Sequence, residues 1–573
     1  MRKVVRFVVM GFGLSALGAC AVVPPPPEGS TSSYSQNYMI SAANPLAAEA
    51  GRDMLRAGGA AIDAAIAAQM VLTLVEPQSS GIGGGAFLLH FNKSTGAIDS
   101  YDGRETAPKS ASPTMFMSTD GKRKKFYDAV VGGSSVGVPG IMRMFEKTHK
   151  EHGKLAWEDL FDPAIKLAEN GFAISPRLAG LLAKDKYIKT IPGTKSYFYD
   201  ANGAPKKAGA VLKNPELVAT LKALASHGAD ALYSGAIAEG IVRTVKTAPK
   251  NPSGMTLVDL SVYKAIKRKP VCMNYRTWKV CGMGPPSSGG LTTLQILGIA
   301  EQFDLSGFVP FSARPVHLIS EASALAFADR NTYIADPDFI PVPSAGMINK
   351  SYLKSRASEV SRFKAGRKRF PGMPGLVGSL KYGPSDNEHG VSTTHMSVID
   401  SAGNAVSMTS SIENAFGSRL MSGGFLLNNQ LTDFSFQPSK NGSPIANRAE
   451  SGKRPRSSMS PTLVFDNEGK LVMAVGSPGG SRIIGYVAKT IIAALDWKMD
   501  MDAAIDAPNF VNRNGSTDLE SGSSLESLKP LLEDMGHKVK LVSNISGLHG
   551  IRVTKYGLEG GADKRREGIA IGD

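Results

Sequence analysis

The chain has 573 residues, 42% of them hydrophobic and 20% charged, the balance of a globular protein with a large core and not of a disordered or fibrous one. Its formal net charge is +15, but the Lys and Arg residues are dispersed, with short runs only at Lys122-Arg123-Lys124-Lys125 and Lys564-Arg565-Arg566. These runs read as solvated surface and exclude a nucleic-acid footprint, while three cysteines in all exclude a zinc site with closely spaced Cys or His ligands.

At the start of the chain, Arg2, Lys3 and Arg6 precede an apolar run from Phe7 to Leu17. That run is too short for an ordinary spanning helix and has the layout of a secretory signal. It ends at Leu17-Gly18-Ala19-Cys20, which resembles a bacterial lipobox. Residues 1–19 are therefore expected to be a lipoprotein signal peptide, with Cys20 lipidated. The alternative is a plain signal peptide with an incidental cysteine. Either way the protein leaves the cytoplasm, and Ala21 in place of an aspartate favours a periplasmic protein held at the outer membrane through its lipid. Residues 20–38 form a linker, stiffened by Pro24 to Pro27.

Leu46 to Ala57 and Ala60 to Leu74 read as helices separated by Gly58-Gly59, with Ile62, Ile66 and Met70 one turn apart on a buried face. Ala86 to Phe91 is a buried strand. Between them, Gly81-Ile82-Gly83-Gly84-Gly85-Ala86 satisfies the G-x-G-x-x-[GA] dinucleotide pattern. It follows a helix and opens a strand, however, the reverse of the context that aims a helix terminus at a pyrophosphate. Gly133-Ser134-Ser135-Val136-Gly137 matches a nucleophile elbow, but Pro139-Gly140 obstructs the helix that should follow. Helical patterns recur at Asp162 to Glu169, Pro215 to His227 and Ala313 to Ala328. A two-residue turn at Arg276-Thr277 sets Cys272 across from Cys281, and an exported protein permits a disulfide there. Beyond Thr393 strands dominate up to Phe465, and a helix recurs near Tyr486 to Asp496. There is no internal repeat and no second independent domain.

The run His395 to Ile399 alternates in polarity, Asp400 to Asn404 reads as a turn, and Ala405 to Ser411 is a second strand. With Ser401 to Gly403 as a three-residue loop and glycine in the left-handed position, counting outward sets Thr393 opposite Ser411. A threonine hydroxyl is a weak nucleophile unless its own α-amino group, with a pKa near 8, is free to act as base. Cleavage of Ser392-Thr393 would free it. Taken alone these residues also fit a surface hairpin with hydroxyls in its strands, and His395 beside them reads as structural.

Thr393 through Phe416-Gly417 resembles the signature of the gamma-glutamyltransferase family, or glutathione hydrolases. The resemblance continues through Leu427-Asn428-Asn429-Gln430-Leu431-Thr432-Asp433-Phe434, through Lys453-Arg454-Pro455-Arg456-Ser457-Ser458-Met459-Ser460-Pro461-Thr462, and through Gly476-Ser477-Pro478-Gly479-Gly480-Ser481-Arg482. Upstream it includes Val75 to Gly85, Asp102-Gly103-Arg104-Glu105-Thr106-Ala107-Pro108 and Pro285 to Gly290. It implies an α+β fold, a four-layer αββα sandwich of the N-terminal nucleophile hydrolase type. It also implies self-cleavage into a large chain, 39–392 after the linker, and a small chain, 393–573, that stay together as a heterodimer.

By that resemblance Thr393 cuts the precursor and later forms a gamma-glutamyl acyl-enzyme. Ser411 stands where the family usually has a threonine that bonds the nucleophile. Glu413, Gln430 and Asp433 would hold the substrate's α-ammonium. Arg104 with Ser457 and Ser458 would take its α-carboxylate, and Gly479 and Gly480 would supply oxyanion N–H groups. Glutathione or another gamma-glutamyl compound is the implied donor, with water, amino acids or peptides as acceptors and no metal or organic cofactor. Two features depart from the family. Arg456 stands where an apolar residue is usual, and Ser435 to Gly452, where some relatives carry a lid, lacks a tyrosine. The rival readings are a glutaryl- or cephalosporin-type acylase of the same fold and an unprocessed lipoprotein that only binds a glutamyl ligand.

Overall fold

The structure, a computed structural model, describes residues 24–27, 29–375, 382–385, 392–543 and 546–573. The expected signal peptide and Cys20 lie outside the described residues. The strands and helices that build the core are, in chain order, β1 (Ser33–Ser35), β2 (Met39–Ala42), α1 (Pro45–Arg56), α2 (Ala61–Val75), β3 (Gly85–Asn92), β4 (Ala97–Gly103), β5 (Ile266–Arg268), β6 (Val271–Tyr275), β7 (Trp278–Gly282), α3 (Gly289–Ala300), α4 (Ala313–Tyr333), β8 (Thr394–Ile399), β9 (Ala405–Ser411), β10 (Thr462–Phe465), β11 (Leu471–Gly476), α5 (Ile483–Leu495), β12 (His549–Thr554), β13 (Gly557–Ala562) and β14 (Ile569–Gly572).

Among the described residues these strands make two seven-stranded antiparallel sheets. One runs β1-β13-β12-β11-β10-β7-β6 and the other β14-β2-β8-β9-β3-β4-β5. The period-2 pattern of β8 explains how they stack. Met396 and Val398 face one way, into the cluster that includes Ile62, Ile66 and Met70 of α2. Ile399 faces the other, into a core between the sheets shared with Leu463, Ala474 and Ile551. The outer face of the other sheet, through Met273, Val464 and Met473, packs on α3, α4 and α5. The result is the expected helix-sheet-sheet-helix sandwich.

Local chemistry sets the ends of these elements. Asn44 accepts a hydrogen bond from the Leu46 amide at 3.0 Å, with Pro45 opening α1, and Asp63 in the first turn of α2 accepts from the Ala60 amide at 2.8 Å. The glycines that mimic a dinucleotide loop serve close packing instead. A Cβ on Gly84 would lie 2.3 Å from the Ser411 carbonyl, and one on Gly83 would lie 2.1 Å from that of Leu426. In the false nucleophile elbow, Ser135 is buried and donates to the carbonyls of Val130 and Gly132.

Two expectations need correction. The helix expected over Ala313 to Ala328 continues to Tyr333, because its next turn is buried and bonded to the neighbouring loops. The stretch from Ile412 to Pro461, expected to be mostly strand, is mostly irregular, with pairings only two residues long at Met421–Ser422, Phe425–Leu426, Ser439–Lys440 and Ser443–Pro444. Its buried polar groups bond to loops and side chains from elsewhere in place of a ladder. In the edge hairpin β6–β7, Cys272 pairs directly with Cys281 and the two sulfurs are bonded.

Candidate active site

The hairpin β8–β9 fixes the site. Its register runs from Thr394 opposite Ser410 to Ile399 opposite Ala405, and Gly403 closes the turn at φ 80°. One step beyond the ladder, Thr393 faces Ser411 with their hydroxyl oxygens 3.1 Å apart. The Thr393 hydroxyl donates to the Ser392 carbonyl at 2.7 Å, and Ser411 Oγ lies 3.0 Å from that same oxygen. Ser411 Oγ also accepts from the Glu413 amide at 2.8 Å, which leaves its own proton for the Ser392 carbonyl or for Thr393. Ser392 is tied down on both sides, its amide donating to the Glu413 carbonyl at 3.3 Å and its hydroxyl to that of Gln78 at 2.5 Å.

His395 is no base for this hydroxyl. It bonds Thr409 and Ser397 between the sheets, and burial holds its pKa well below the ordinary histidine value, so the ring is neutral.

One cleft brings together Arg104, Thr393, Ser411, Glu413, Gln430, Asp433, Ser457, Ser458 and Gly480. Gly479 is not among its lining residues. Its acidic wall has spare acceptors. Glu413 is a non-glycine residue held at φ 79°; its Oε2 accepts from Asn429 Nδ2, while its Oε1 and Gln430 Oε1 are buried without a hydrogen bond. Burial, reinforced by the charge of Asp433, raises the Glu413 pKa above the usual carboxylate range. Gln430 Nε2 donates to Asp433 Oδ2 at 2.9 Å. Buried acceptors without donors are costly unless a ligand completes them, and a cationic donor suits this set.

In direct contact with this wall, Arg104 is fully buried. Its guanidinium donates to Asp433 Oδ2 at 2.5 Å and to the carbonyls of Pro455 and Arg456 at 3.1 and 3.2 Å. Its Nη1 carries no hydrogen bond and lies 3.6 Å from Glu105 Oε2. Glu105, buried with both carboxyl oxygens unbonded, has its pKa pushed up to about 8 by burial. Ser457 Oγ accepts from the Met459 amide at 3.1 Å, while Ser458 Oγ accepts from Arg330 at 2.7 Å. Gly479 and Gly480 both take positive φ, 135° and 59°, a conformation that requires glycine here. They lead through a short 3₁₀ turn into α5, whose N-terminal end is partially positive.

Three features of the site are invisible to local sequence reading. Arg330 lines the cleft from the last turn of α4 and also bonds Ser288 at 2.9 Å; a helix boundary drawn at Ala328 leaves it out. Arg566 was expected on the solvated surface, yet it is buried and donates from Nη1 to the Thr393 carbonyl at 2.8 Å and from Nε to that of Ser546 at 2.9 Å. Burial and the neighbouring Arg177 push its pKa down to about 9. The segment from Ser435 to Gly452 is packed against the cleft. Asn447 donates to the Asp433 carbonyl at 2.8 Å and accepts from the Arg456 amide at 2.9 Å, and Phe436 stacks on Phe116. Arg456 itself lines the cleft and donates to the carbonyls of Arg330 and Ser385.

The profile of the family described as Gamma-glutamyltranspeptidase matches residues 47–573. Over 546 residues the chain is 37% identical to the glutathione hydrolase proenzyme of Bacillus subtilis (strain 168), covering 93% of this chain and 91% of that protein. It is 36% identical to the glutathione hydrolase proenzyme of Escherichia coli (strain K12), with 92% and 90% covered. Among solved structures, the cephalosporin acylase of Bacillus halodurans superposes with a TM-score of 0.82 at 26% identity over 99% of each chain.

Proposed function

This chain belongs to the gamma-glutamyltranspeptidase family, and from that premise we propose that it is a self-processing gamma-glutamyltransferase and glutathione hydrolase with Thr393 as nucleophile. One observation carries the reading. The Thr393 hydroxyl is shared between Ser411 Oγ and the carbonyl it would attack, beside a cleft whose unbonded acceptors on Glu413 and Gln430 suit an ammonium and whose Arg104 suits a carboxylate.

In maturation, Thr393 Oγ1 attacks the Ser392 carbonyl carbon, and the Ser411 hydroxyl donates to the developing oxyanion. Collapse breaks the C–N bond, with the proton lost from Oγ1 passing to the departing nitrogen, so that the acyl group stands on Oγ1 as an ester and Thr393 carries a free amine. Water then hydrolyses the ester and releases chains ending at Ser392 and beginning at Thr393. In turnover the free amine takes the Thr393 hydroxyl proton as that oxygen adds to a gamma-glutamyl carbonyl. Glu413, Gln430 and Asp433 hold the α-ammonium, and Arg104 with Ser457 and Ser458 takes the α-carboxylate. N–H groups at Gly479 and Gly480 stabilise the oxyanion, each worth about 3 kcal/mol. The leaving amine takes a proton, and water, an amino acid or a peptide amine then releases the acyl group.

We further propose export and lipidation at Cys20, which would hold the two-chain enzyme at the periplasmic face of the outer membrane. The described residues include no helix long and apolar enough to cross a membrane.

The test is intact mass and N-terminal sequencing of the purified protein beside Thr393→Ala. A chain beginning at Thr393 in the unsubstituted protein alone supports the proposal. A full-length chain in both would sink it and favour the glutamyl-binding reading. The acylase reading draws on Arg456 in the wall of the cleft and on the similarity to a cephalosporin acylase. Turnover of glutaryl anilides faster than gamma-glutamyl anilides would establish it instead.

A further inference from the structure

Far from any role in the proposed chemistry, the segment from Ser361 to Gly375 carries Arg362, Lys364, Arg367, Lys368 and Arg369 and no acidic residue. Interleaved with them are three apolar side chains that face solvent: Phe363, 65% exposed, Phe370, 81%, and Met373, 85%. Loose backbone does not account for this exposure. The Ala365 amide donates to the Met535 carbonyl at 2.7 Å and the Gly372 amide to Asp329 at 2.8 Å. Asn514 bonds both the amide and the carbonyl of Arg369, at 2.7 and 2.9 Å. The Arg369 guanidinium pairs with buried Glu321, an anchor that leaves the other cations outside. Arg314 stacks over one face of Phe363 at 4.4 Å, holding that ring in place.

We propose that this segment is a docking surface for an anionic lipid bilayer. The pairing of chemistries selects that occupant. Cations alone would fit any polyanion, but a rigid backbone that holds two phenyl rings and a thioether out into water, beside lysines and arginines, matches an interface with a charged headgroup plane and hydrocarbon just below it. Arg367, Lys368, Phe370 and Met373 share a shallow cavity of about 430 Å³, a recess of headgroup size. Its one carboxylate, Glu359, is already paired with Arg356 at 2.6 Å.

A chain of contacts ties the surface to the N-terminal linker. Ser32 bonds Asp500 at 3.4 Å, Trp497 bonds the Leu305 carbonyl at 2.9 Å and packs on Phe311, and Phe308 shares a cavity with Arg362 and Phe363. The surface is defined without any lipid on Cys20, which lies outside the described residues.

The test uses the mature chain with Cys20→Ala, so that no lipid contributes, and with Phe370→Trp, compared with the same chain lacking the added tryptophan so that emission from Trp157, Trp278 and Trp497 is subtracted. The added emission should shift to the blue and be quenched by vesicles of phosphatidylethanolamine mixed with brominated phosphatidylglycerol, with the effect weakened by salt. The combined change Lys364→Gln, Arg367→Gln and Lys368→Gln should lower vesicle partitioning by about 100-fold while turnover of a soluble gamma-glutamyl anilide is unchanged. No shift on the anionic vesicles would overturn the proposal, as would equal partitioning onto pure phosphatidylcholine or tighter binding to an oligonucleotide.

Discussion

Ser411→Ala isolates the step on which the proposed maturation would depend. The hydroxyl has three polar neighbours within 3.1 Å: the Glu413 amide, the Ser392 carbonyl and the Thr393 hydroxyl. Its removal leaves the buried Glu413 N–H without an acceptor, at about 1–3 kcal/mol of stability. It also removes the side-chain donor at the Ser392 carbonyl, where negative charge develops during attack, which raises the cleavage barrier by about 3–4 kcal/mol. The two effects are separable. The first appears as a lower melting temperature of a folded, uncleaved chain, and the second as a slowing of about 100- to 1000-fold in the appearance of the chain beginning at Thr393. The assay follows intact mass against time after purification, with Ser411→Thr as the control that keeps the oxygen. Ser411→Ala protein that folds and cleaves at the unsubstituted rate would refute the role assigned to this hydroxyl.

Arg566→Met removes a buried, charge-assisted bond to the Thr393 carbonyl, worth about 1.5–3 kcal/mol; kcat should fall about 10- to 100-fold with KM nearly constant, whereas a rise in KM alone would assign Arg566 to substrate binding. Glu105 gives a pH signature, measured as denaturant midpoints in a Thr393→Ala background that keeps the chain intact. Its folded pKa of about 8 lies above the unfolded 4.5, so the folded state retains a proton that the unfolded chain gives up. The stability that Glu105 contributes is therefore fully present below about pH 4.5, is lost as pH rises through the interval and is gone above 8, with an upper bound of about 3–5 kcal/mol. Glu105→Gln should flatten that decline, and parallel profiles would contradict it. Replacing both Cys272 and Cys281 by Ala opens a short loop and should cost about 2–3 kcal/mol of stability with turnover intact, since the pair closes an edge hairpin. Lost turnover would instead tie that edge to the site.

How much of this site the sequence displays depends on how local each interaction is. The β8–β9 register follows from period-2 patterning and one left-handed glycine, both of which act within a dozen residues, so the meeting of Thr393 and Ser411 is legible. The remaining cleft residues are legible only through family resemblance, because Arg104 and Asp433 are 329 positions apart yet in contact. Arg566 shows where local reading fails. Three adjacent cations look like solvated surface, but distant carboxylates decide otherwise, with Lys564 held by Asp502 and Asp506 and Arg565 by Glu520. That pairing turns the next side chain inward toward Thr393. The stretch from Ile412 to Pro461 fails for a related reason. It is rich in Gly, Pro, Ser and Asn, which favour turns over strands, and the partners of its few apolar residues are walls of the cleft and not a sheet.

The contacts that position Thr393 also bear on how one hydroxyl can serve two successive reactions. Two side-chain tethers converge on this residue, Ser411 on its hydroxyl and Arg566 on its carbonyl, while the hydrogen bonds made by Ser392 reach Gln78 and Glu413. Cleavage of the bond between them would release the Ser392 side of this arrangement and leave both Thr393 tethers in place. The nucleophile would then keep its position while its amide becomes an amine, and the space vacated by the Ser392 carbonyl would face the same Ser411 donor when a substrate carbonyl arrives. On this argument the geometry that cuts the chain and the geometry that turns over substrate are largely one arrangement. A substitution that slows cleavage through Ser411 or Arg566 should slow turnover in the same order, whereas one at Gln430, on the ammonium side, should affect turnover alone.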